Sequence, residues 1–131
     1  MKKILIAEDN IIIMSLLKLA FREKNCSVIE CRNGKEAIEK FNKTPVDIVL
    51  SDIEMPQVSG DEFVKYILKN TVKKIPLIIM SSLNANDERI QYIKKQNIQH
   101  ILKPFMIKDI VNTTCDLLKE QEAAERNTAV L

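Results

Sequence analysis

The chain has 131 residues, of which 46% are hydrophobic and 29% are charged, and its net charge is +2. That length fits one globular domain with its own core and leaves no room for a second. The lysines are scattered rather than clustered, which excludes a nucleic-acid footprint, and the apolar runs are too short to span a membrane. We expect a cytoplasmic protein without a signal peptide, whose Cys26, Cys31 and Cys115 are reduced.

Apolar runs and helical patterns alternate along the whole chain. Strands are predicted at residues 4–7, around 28–29, and at 46–51, 76–80 and 100–102. Apolar residues at spacings of three and four predict helices near residues 13–21, 37–41, 63–68, 90–93 and 107–118. The first helix is expected to bury Ile13, Leu16, Leu17, Ala20 and Phe21. Five strand–helix units in sequence predict a doubly wound α/β fold, with a parallel sheet and helices on both faces.

Polar side chains follow four of the five predicted strands. Glu8 and Asp9 come after the first strand, Asp52 after the third, Ser81 after the fourth and Lys103 after the fifth. Each of these residues alone is compatible with an ordinary surface position. Because ligands of doubly wound sheets bind outside the carboxyl ends of the strands, their convergence predicts a functional site there.

The three acidic residues of this set predict a cation. Glu8, Asp9 and Asp52 would repel one another if they lay within a few ångströms. Mg²⁺ fits them well because it is hard, prefers oxygen and keeps positions for water and phosphate, whereas a Ca²⁺ cage would be expected with an EF-hand loop. Lys103 offers a mobile positive charge for a phosphoryl oxygen, and Ser81 offers a hydroxyl for another.

In this order the residues resemble the receiver domain of two-component response regulators, of the stand-alone, single-domain type. The matching pieces cover about residues 2–118 and are Glu8-Asp9, Asp52-Ile53-Glu54-Met55-Pro56 followed by Gly60, Ser81, and Lys103-Pro104-Phe105. The resemblance implies a five-stranded parallel sheet in the flavodoxin-like order 2-1-3-4-5. We expect the receiver domain to occupy residues 1–122 and a C-terminal tail to occupy residues 123–131, since the helical pattern fades after Glu120.

The resemblance also implies a role for each residue. Asp52 would accept a phosphoryl group from a histidine kinase or a phosphotransfer protein, so that the chain catalyses only its own phosphorylation and dephosphorylation. Mg²⁺ would be held by Glu8, Asp9, Asp52 and the backbone carbonyl of Glu54. Lys103 and Ser81 would bind the phosphorylated state, Ser81 and His100 would form the switch, and the peptide bond before Pro104 would be cis.

Two side chains keep more than one interpretation. His100 occupies the position where the family usually has tyrosine or phenylalanine, and a switching role and a simple strand-edge role both remain open. The Glu54 side chain is expected to overhang the phosphoryl pocket, where it would repel phosphate, pair with a lysine or position water, or else lie in solvent.

The surface that transmits the signal is expected to be formed by the fourth helix, the fifth strand and the fifth helix. It would bind a downstream protein target, and the chain would be a monomer or weak dimer.

Three other classes of protein compete with this interpretation. A dinucleotide-binding enzyme is disfavoured because acidic residues, instead of a glycine-rich turn, follow the first strand. A small Mg²⁺-dependent phosphatase with an aspartyl intermediate is disfavoured because such enzymes usually place the nucleophile after the first strand of the sheet, whereas Asp52 follows the third. A receiver-fold interaction module that no longer needs phosphorylation is disfavoured because the acid pair, aspartate, hydroxyl and lysine are all present.

Overall fold

Strands and helices alternate strictly in the computed structural model, which describes the backbone of residues 1–130 and the side chains of residues 1–127. The elements within this range are β1 (Lys2–Ala7), α1 (Ile11–Glu23), β2 (Cys26–Cys31), α2 (Gly34–Lys43), β3 (Ile48–Asp52), α3 (Gly60–Asn70), β4 (Leu77–Ser81), α4 (Glu88–Lys95), β5 (Gln99–Leu102) and α5 (Ile107–Val130). Each predicted strand and helix is present.

The five strands form one parallel sheet in the order β2-β1-β3-β4-β5. The predicted fold class and strand order are therefore confirmed. Pairing aligns the carboxyl ends of the strands, since Ala7 lies opposite Ser51, Asp52 opposite Met80, and Ser81 opposite Leu102. The order of the strands reverses at β1 and β3, which is the point where doubly wound sheets bind their ligands.

Each face of the sheet has its own hydrophobic core. Alternate strand residues such as Leu5 and Val49 pack with α2, α3 and α4, whereas their neighbours Ile4 and Ile48 pack with α1 and α5. Side chains of a strand alternate between faces, so burial on both sides makes the strands nearly continuous apolar runs. This arrangement holds the strand ends rigidly and leaves the polar residues to the loops beyond them.

Asparagine and aspartate caps start three of the helices close to the strand ends. Asn10 accepts a hydrogen bond from Ile13 N at 3.0 Å, and Asn33 accepts one from Glu36 N at 2.8 Å. Asp87 caps α4 in the same way through Arg89 N at 2.8 Å. Because such caps satisfy backbone N–H groups that the helix cannot, they fix where each helix begins. Asn10 thus starts α1 directly after Glu8 and Asp9.

The buried stripe of α1 differs from the predicted one. Met14, Leu17 and Phe21 are buried, whereas Leu16, which was expected in the core, is 46% exposed. The helix is apolar on most of its circumference, so spacing alone does not decide which stripe meets the sheet. The stripe at 14, 17 and 21 packs under α5 and β2, and it turns Leu16 outward.

The last helix is longer than the sequence pattern indicates. α5 continues to Val130, through most of the segment that was expected to be a tail, residues 123–131, while residue 131 lies outside the described range. The residues at 123–126 are alanines, a glutamate and an arginine, which favour a helix even without a buried face. Glu122 and Glu125 also pair with Lys2 and Lys73, at 3.0 and 3.8 Å. Among residues 1–130, no helix is both long and apolar enough to cross a bilayer.

Candidate functional site

Three carboxylates meet at the carboxyl edge of the sheet. Glu8 and Asp9 follow β1, and Asp52 is the last residue of the adjacent strand β3. Oxygen atoms of all three lie within 4.8 Å of one another. Glu8 and Asp52 are only 1% and 6% exposed, whereas Asp9 is open to solvent. The structure therefore brings together the acidic residues that the sequence predicted as a cluster.

Lys103 bridges the two buried carboxylates. Its Nζ donates to Glu8 Oε1 at 2.8 Å and to Asp52 Oδ2 at 3.0 Å. Burial alone lowers the pKa of Lys103, but the hydrogen bonds to Glu8 and Asp52 outweigh it and the pKa is raised. The lysine follows β5, where its backbone N–H donates to the Ser81 carbonyl at 2.8 Å, and the Lys103–Pro104 peptide bond is cis. The ammonium group is thus held charged beside the Asp52 carboxylate.

The charges of the cluster are not balanced by the lysine alone. Burial raises the pKa of Glu8, and the neighbouring Asp52 adds to this, although hydrogen bonds from Lys103 and from the backbone of Asn10 oppose it. With all groups ionised, three carboxylates and one lysine leave a formal charge of −2. A hard divalent cation matches both that charge and the all-oxygen donor set. The residues present therefore fit Mg²⁺, and Glu8, Asp9 and Asp52 are the side chains that would hold it.

Ser81 stands at the end of β4 but is engaged with His100. Its fully buried hydroxyl lies 3.1 Å from His100 Nε2 and accepts a hydrogen bond from Leu83 N at 3.1 Å. Burial lowers the pKa of His100, with a smaller effect of Lys94 in the same direction and an opposing one from a hydrogen bond to the Ser81 backbone. The two predicted switch residues are therefore in direct contact, next to the acidic cluster rather than inside it.

The loop after β3 folds back on Asp52. Glu54 N donates to Asp52 Oδ1 at 3.4 Å, and the Glu54 side chain accepts a hydrogen bond from Ser82 Oγ at 3.3 Å. This contact with Ser82 was not among the alternatives that the sequence suggested for Glu54. Sequence reasoning also missed Asn10, whose N–H donates to Glu8 Oε2 at 3.2 Å. An asparagine just before an apolar helical pattern is the signal that could have identified it as a cap.

A parallel doubly wound sheet with paired acids, an aspartate and a lysine at its switch point defines a class of phosphoacceptor domains. A family model described as the response regulator receiver domain matches residues 4–114. The chain belongs to this family, and it is a receiver domain of two-component signalling. Receiver domains are phosphoacceptors rather than enzymes with a separate substrate. They bind Mg²⁺ in an acidic pocket and interact with histidine kinases and downstream effectors.

Two curated relatives illustrate the similarity. Chemotaxis protein CheY from Thermotoga maritima is 32% identical over 111 residues, which are 84% of this chain and 92% of that protein. Response regulator RR06 from Streptococcus pneumoniae is 30% identical over 122 residues, which are 93% of this chain and 55% of that protein. The chain spans about half the length of RR06 and of ResD from Bacillus subtilis, of which it covers 48%.

A solved structure shows the same similarity of fold. The response regulator TrrA from Thermotoga maritima has 29% sequence identity and a TM-score of 0.75, with 89% of this chain and 99% of that chain covered. That protein was crystallised in complex with Mg²⁺-BeF.

Proposed function

We propose that this chain is a phosphoacceptor response regulator of a two-component or phosphorelay system, acting in the cytoplasm. Asp52 takes a phosphoryl group from a phosphohistidine of a histidine kinase or phosphotransfer protein in a Mg²⁺-dependent reaction. The observation that carries this proposal is the Asp52 carboxylate, buried at the end of β3, bonded to Lys103 at 3.0 Å and grouped with Glu8 and Asp9.

The proposed reaction needs little more than charge neutralisation and correct positioning of the reacting groups. A carboxylate oxygen of Asp52 attacks phosphorus, a P–O bond forms, and the P–N bond to the donor imidazole breaks. Lys103 lies where its ammonium group can neutralise charge on the phosphoryl oxygens. Mg²⁺, held by Glu8, Asp9, Asp52 and the Glu54 backbone carbonyl, supplies further charge neutralisation when bound. The same groups support hydrolysis of the acyl phosphate, which returns the chain to its resting form.

The hydrogen bonds of Ser81 support a switch. In this structure its hydroxyl lies 3.1 Å from His100 Nε2, and we infer that Ser81 exchanges this partner for a phosphoryl oxygen in the phosphorylated state. Leu83 N is bonded to the same oxygen atom, and therefore the loop leading to α4 moves with it. We assign Ser81, His100 and Lys103 to this switch, and the surface of α4, β5 and α5 to the binding of a downstream protein by a monomer or weak dimer.

An apolar stripe on α1 supports contact with a protein phosphodonor. Ile12, Leu16 and Leu19 form this α1 stripe at helical spacing, and they are 71%, 46% and 55% exposed. Leu16 also lines a groove of about 440 Å³ together with Phe105 and Lys103, which places apolar surface beside the phosphoacceptor site. Exposed apolar patches of this kind mark contact surfaces. The stripe therefore suits the helix of a phosphodonor that carries its phosphohistidine to Asp52.

Intact mass after incubation with Mg²⁺ and acetyl phosphate tests the phosphoacceptor. One added phosphoryl group is expected on the parent chain and on an Asp116→Asn control at an exposed site of α5, and none on Asp52→Asn or in a chelator. An unmodified parent would favour a phosphorylation-independent interaction module. Steady release of phosphate from a phosphomonoester would favour the phosphatase instead, and labelling of Asp52→Asn would reveal another acceptor.

The α1 stripe is tested by comparing two phosphodonors. Leu16→Glu is expected to slow transfer from a histidine kinase that phosphorylates the parent chain, but to leave labelling by acetyl phosphate unchanged. Leu68→Glu on α3 is the matched control, because Leu68 is 45% exposed and lies on the opposite face of the sheet. Equal slowing by both variants, or slowing with acetyl phosphate as well, contradicts docking on the stripe.

A further inference from the structure

Asp61 carries a buried oxygen that the resting fold leaves unpaired. The residue lies in the first turn of α3 and is 9% exposed. Among the side chains of residues 1–127, its Oδ1 is the one buried polar atom without a hydrogen-bond partner. An unpaired buried carboxylate oxygen is costly, and native proteins seldom keep one without a reason. A conformation would therefore be stabilised if a neighbouring element brought a hydrogen-bond donor to the Asp61 oxygen.

The contact between Lys65 and Tyr92 indicates that Arg89 of the neighbouring helix lies near Asp61. α3 and α4 run in the same direction, because each follows a strand of one parallel sheet. Lys65 Nζ lies 4.9 Å from the centre of the Tyr92 ring and joins the two helices. Asp61 precedes Lys65 by four residues and Arg89 precedes Tyr92 by three, so that Asp61 and Arg89 face each other about one turn earlier. The pKa of Arg89 is raised mainly by Asp87, with further contributions from Asp61 and Glu54, in accord with this placement.

Arg89 is occupied elsewhere in this structure. Its backbone N donates to Asp87 Oδ1 at 2.8 Å, and its Nε and Nη2 reach the two Asp87 oxygens at 3.1 Å. Asp87 is the cap of the same helix, so the guanidinium group is folded back on its own N-terminus. Both side chains are partly exposed, at 42% for Arg89 and 25% for Asp87, and an ion pair near the surface contributes little stability. Because the pair is weak, a movement of the helix end can offer Arg89 another acceptor.

The loop that leads to Arg89 is connected to the proposed phosphoryl site. Ser81 Oγ accepts a hydrogen bond from Leu83 N, and residues 82–87 lead directly to the start of α4. When Ser81 turns to a phosphoryl oxygen, this bond pulls the loop toward the site. Asp87 ends that loop and Arg89 lies in the first turn of α4, so we expect the N-terminus of α4 to move relative to α3.

We propose that Asp61 is the second partner of Arg89 and that α4 has two docked positions. In the resting position Arg89 binds Asp87, and in the position favoured by phosphorylation of Asp52 it binds Asp61 across the α3–α4 interface. The second pairing satisfies the buried oxygen with a charge-assisted hydrogen bond. Because that gain belongs to one state only, it shifts the equilibrium toward that state. The inference rests on the proposed function, since a phosphoryl group or its mimic must drive the change.

Affinity for beryllofluoride in the presence of Mg²⁺ tests the inference, because a mimic binds the activated state and its affinity reports the cost of reaching it. Asp61→Asn and Arg89→Gln are each expected to bind the mimic at least about 5-fold more weakly than the parent. The double variant is expected to bind no more weakly than the weaker single variant, because each substitution removes one charge of the same ion pair. Glu62→Gln, which removes a charge from an exposed site in the same turn, is the matched control and keeps the parent affinity.

The outcomes separate this inference from the proposed function. A parent chain that fails to bind the mimic overturns both. If the parent binds the mimic, either of two results overturns the pairing alone. One is that Asp61→Asn binds the mimic as tightly as the parent does, and the other is that the affinity losses of the two single variants multiply in the double variant. The Arg89 Nε–H NMR signal supplies a second measurement. It is expected to shift on mimic binding in the parent and in Glu62→Gln, and an equal shift in Asp61→Asn overturns the pairing.

Discussion

Hydrogen bonds to individual residues determine which charged side chains can be buried at the strand ends. Glu8 is almost fully buried, yet it accepts hydrogen bonds from Lys103 and from the backbone of Asn10. Asp52 shares the same lysine. A buried carboxylate is tolerated when such partners are present and is costly without them. The ammonium group of Lys103 therefore stabilises the resting site and, in the proposed reaction, is already beside the nucleophile.

His100 is expected to make the stability of the fold depend on pH near neutrality. It is the only histidine in the chain, and burial lowers its pKa from 6.5 in the folded protein. Between the folded pKa and about 6.5 the unfolded chain binds more protons, so the free energy of unfolding decreases as the pH falls through that window. His100→Gln keeps a polar partner for Ser81 but does not titrate there.

Urea unfolding of the two proteins checks this expectation. Between about pH 7.5 and about pH 5.5 the parent should lose more unfolding free energy than His100→Gln. Glu8 titrates in both proteins, so the difference between them isolates the histidine. Parallel pH profiles would show that His100 has the same pKa in the folded and unfolded states.

Some contacts of single residues could be predicted from the sequence and others could not. The carboxylates and the lysine were predictable because their chemistry and their positions after strands both point to one edge of the sheet. The contact between Ser81 and His100 was not, since it depends on a rotamer and on the alignment of β4 with β5. Asp61 was missed for a related reason. An acidic residue in the first turn of a helix is expected on dipole grounds alone, and the sequence does not reveal that its oxygen is buried.

Among the elements, α3 begins in direct contact with the backbone of Asp52 and Ile53. Gly60 N donates to the Ile53 carbonyl at 2.8 Å, and a Cβ at Gly60 would overlap the backbone carbonyl of Asp52. Gly60→Ala is therefore expected to push the helix away from the end of β3. We expect the free energy of unfolding to fall by about 1–3 kcal/mol, as for other overpacked sites, and phosphorylation of Asp52 by acetyl phosphate to slow.

Ser59→Ala is the control for this change. Ser59 precedes the helix, and within the described residues its side chain makes no capping hydrogen bond, so its loss should matter little. Chemical denaturation and the rate of phosphoryl labelling are measured for both variants. Similar values for Gly60→Ala and Ser59→Ala would mean that the loop relaxes around the extra carbon atom.

Helix faces and helix ends were the least predictable features at the element scale. α1 carries apolar residues on two stripes, and only packing with α5 and β2 selects Met14, Leu17 and Phe21 for the core. The stripe that remains outside is the one we assign to a phosphodonor. α5 is the opposite case, because its apolar pattern ends while its helix continues. Periodicity reports burial, whereas intrinsic propensity and surface ion pairs also set the length of a helix.

At the scale of the whole molecule, the two faces of the sheet separate the proposed input from part of the proposed output. α1 lies on one face with α5, and α4 lies on the other with α2 and α3. The acidic site sits at the edge between them, where Ser81 joins the phosphoryl pocket to the loop before α4. The proposed signal therefore enters beside α1 and leaves through α4, β5 and α5, and the core residues that move with α4 are Ile90 and Ile93.

Hydrogen exchange is expected to show this separation directly. α4 has only eight residues and two fully buried apolar side chains, Ile90 and Ile93, so little apolar surface holds it to the core. Elements with few buried contacts open most easily and respond most to a ligand. Binding of beryllofluoride with Mg²⁺ should change protection mainly at residues 82–102, with α2 as the internal reference. If the changes concentrate in α1 and α2 instead, the output surface lies elsewhere, because the coupling between Ser81 and the α4 loop would then not carry the signal.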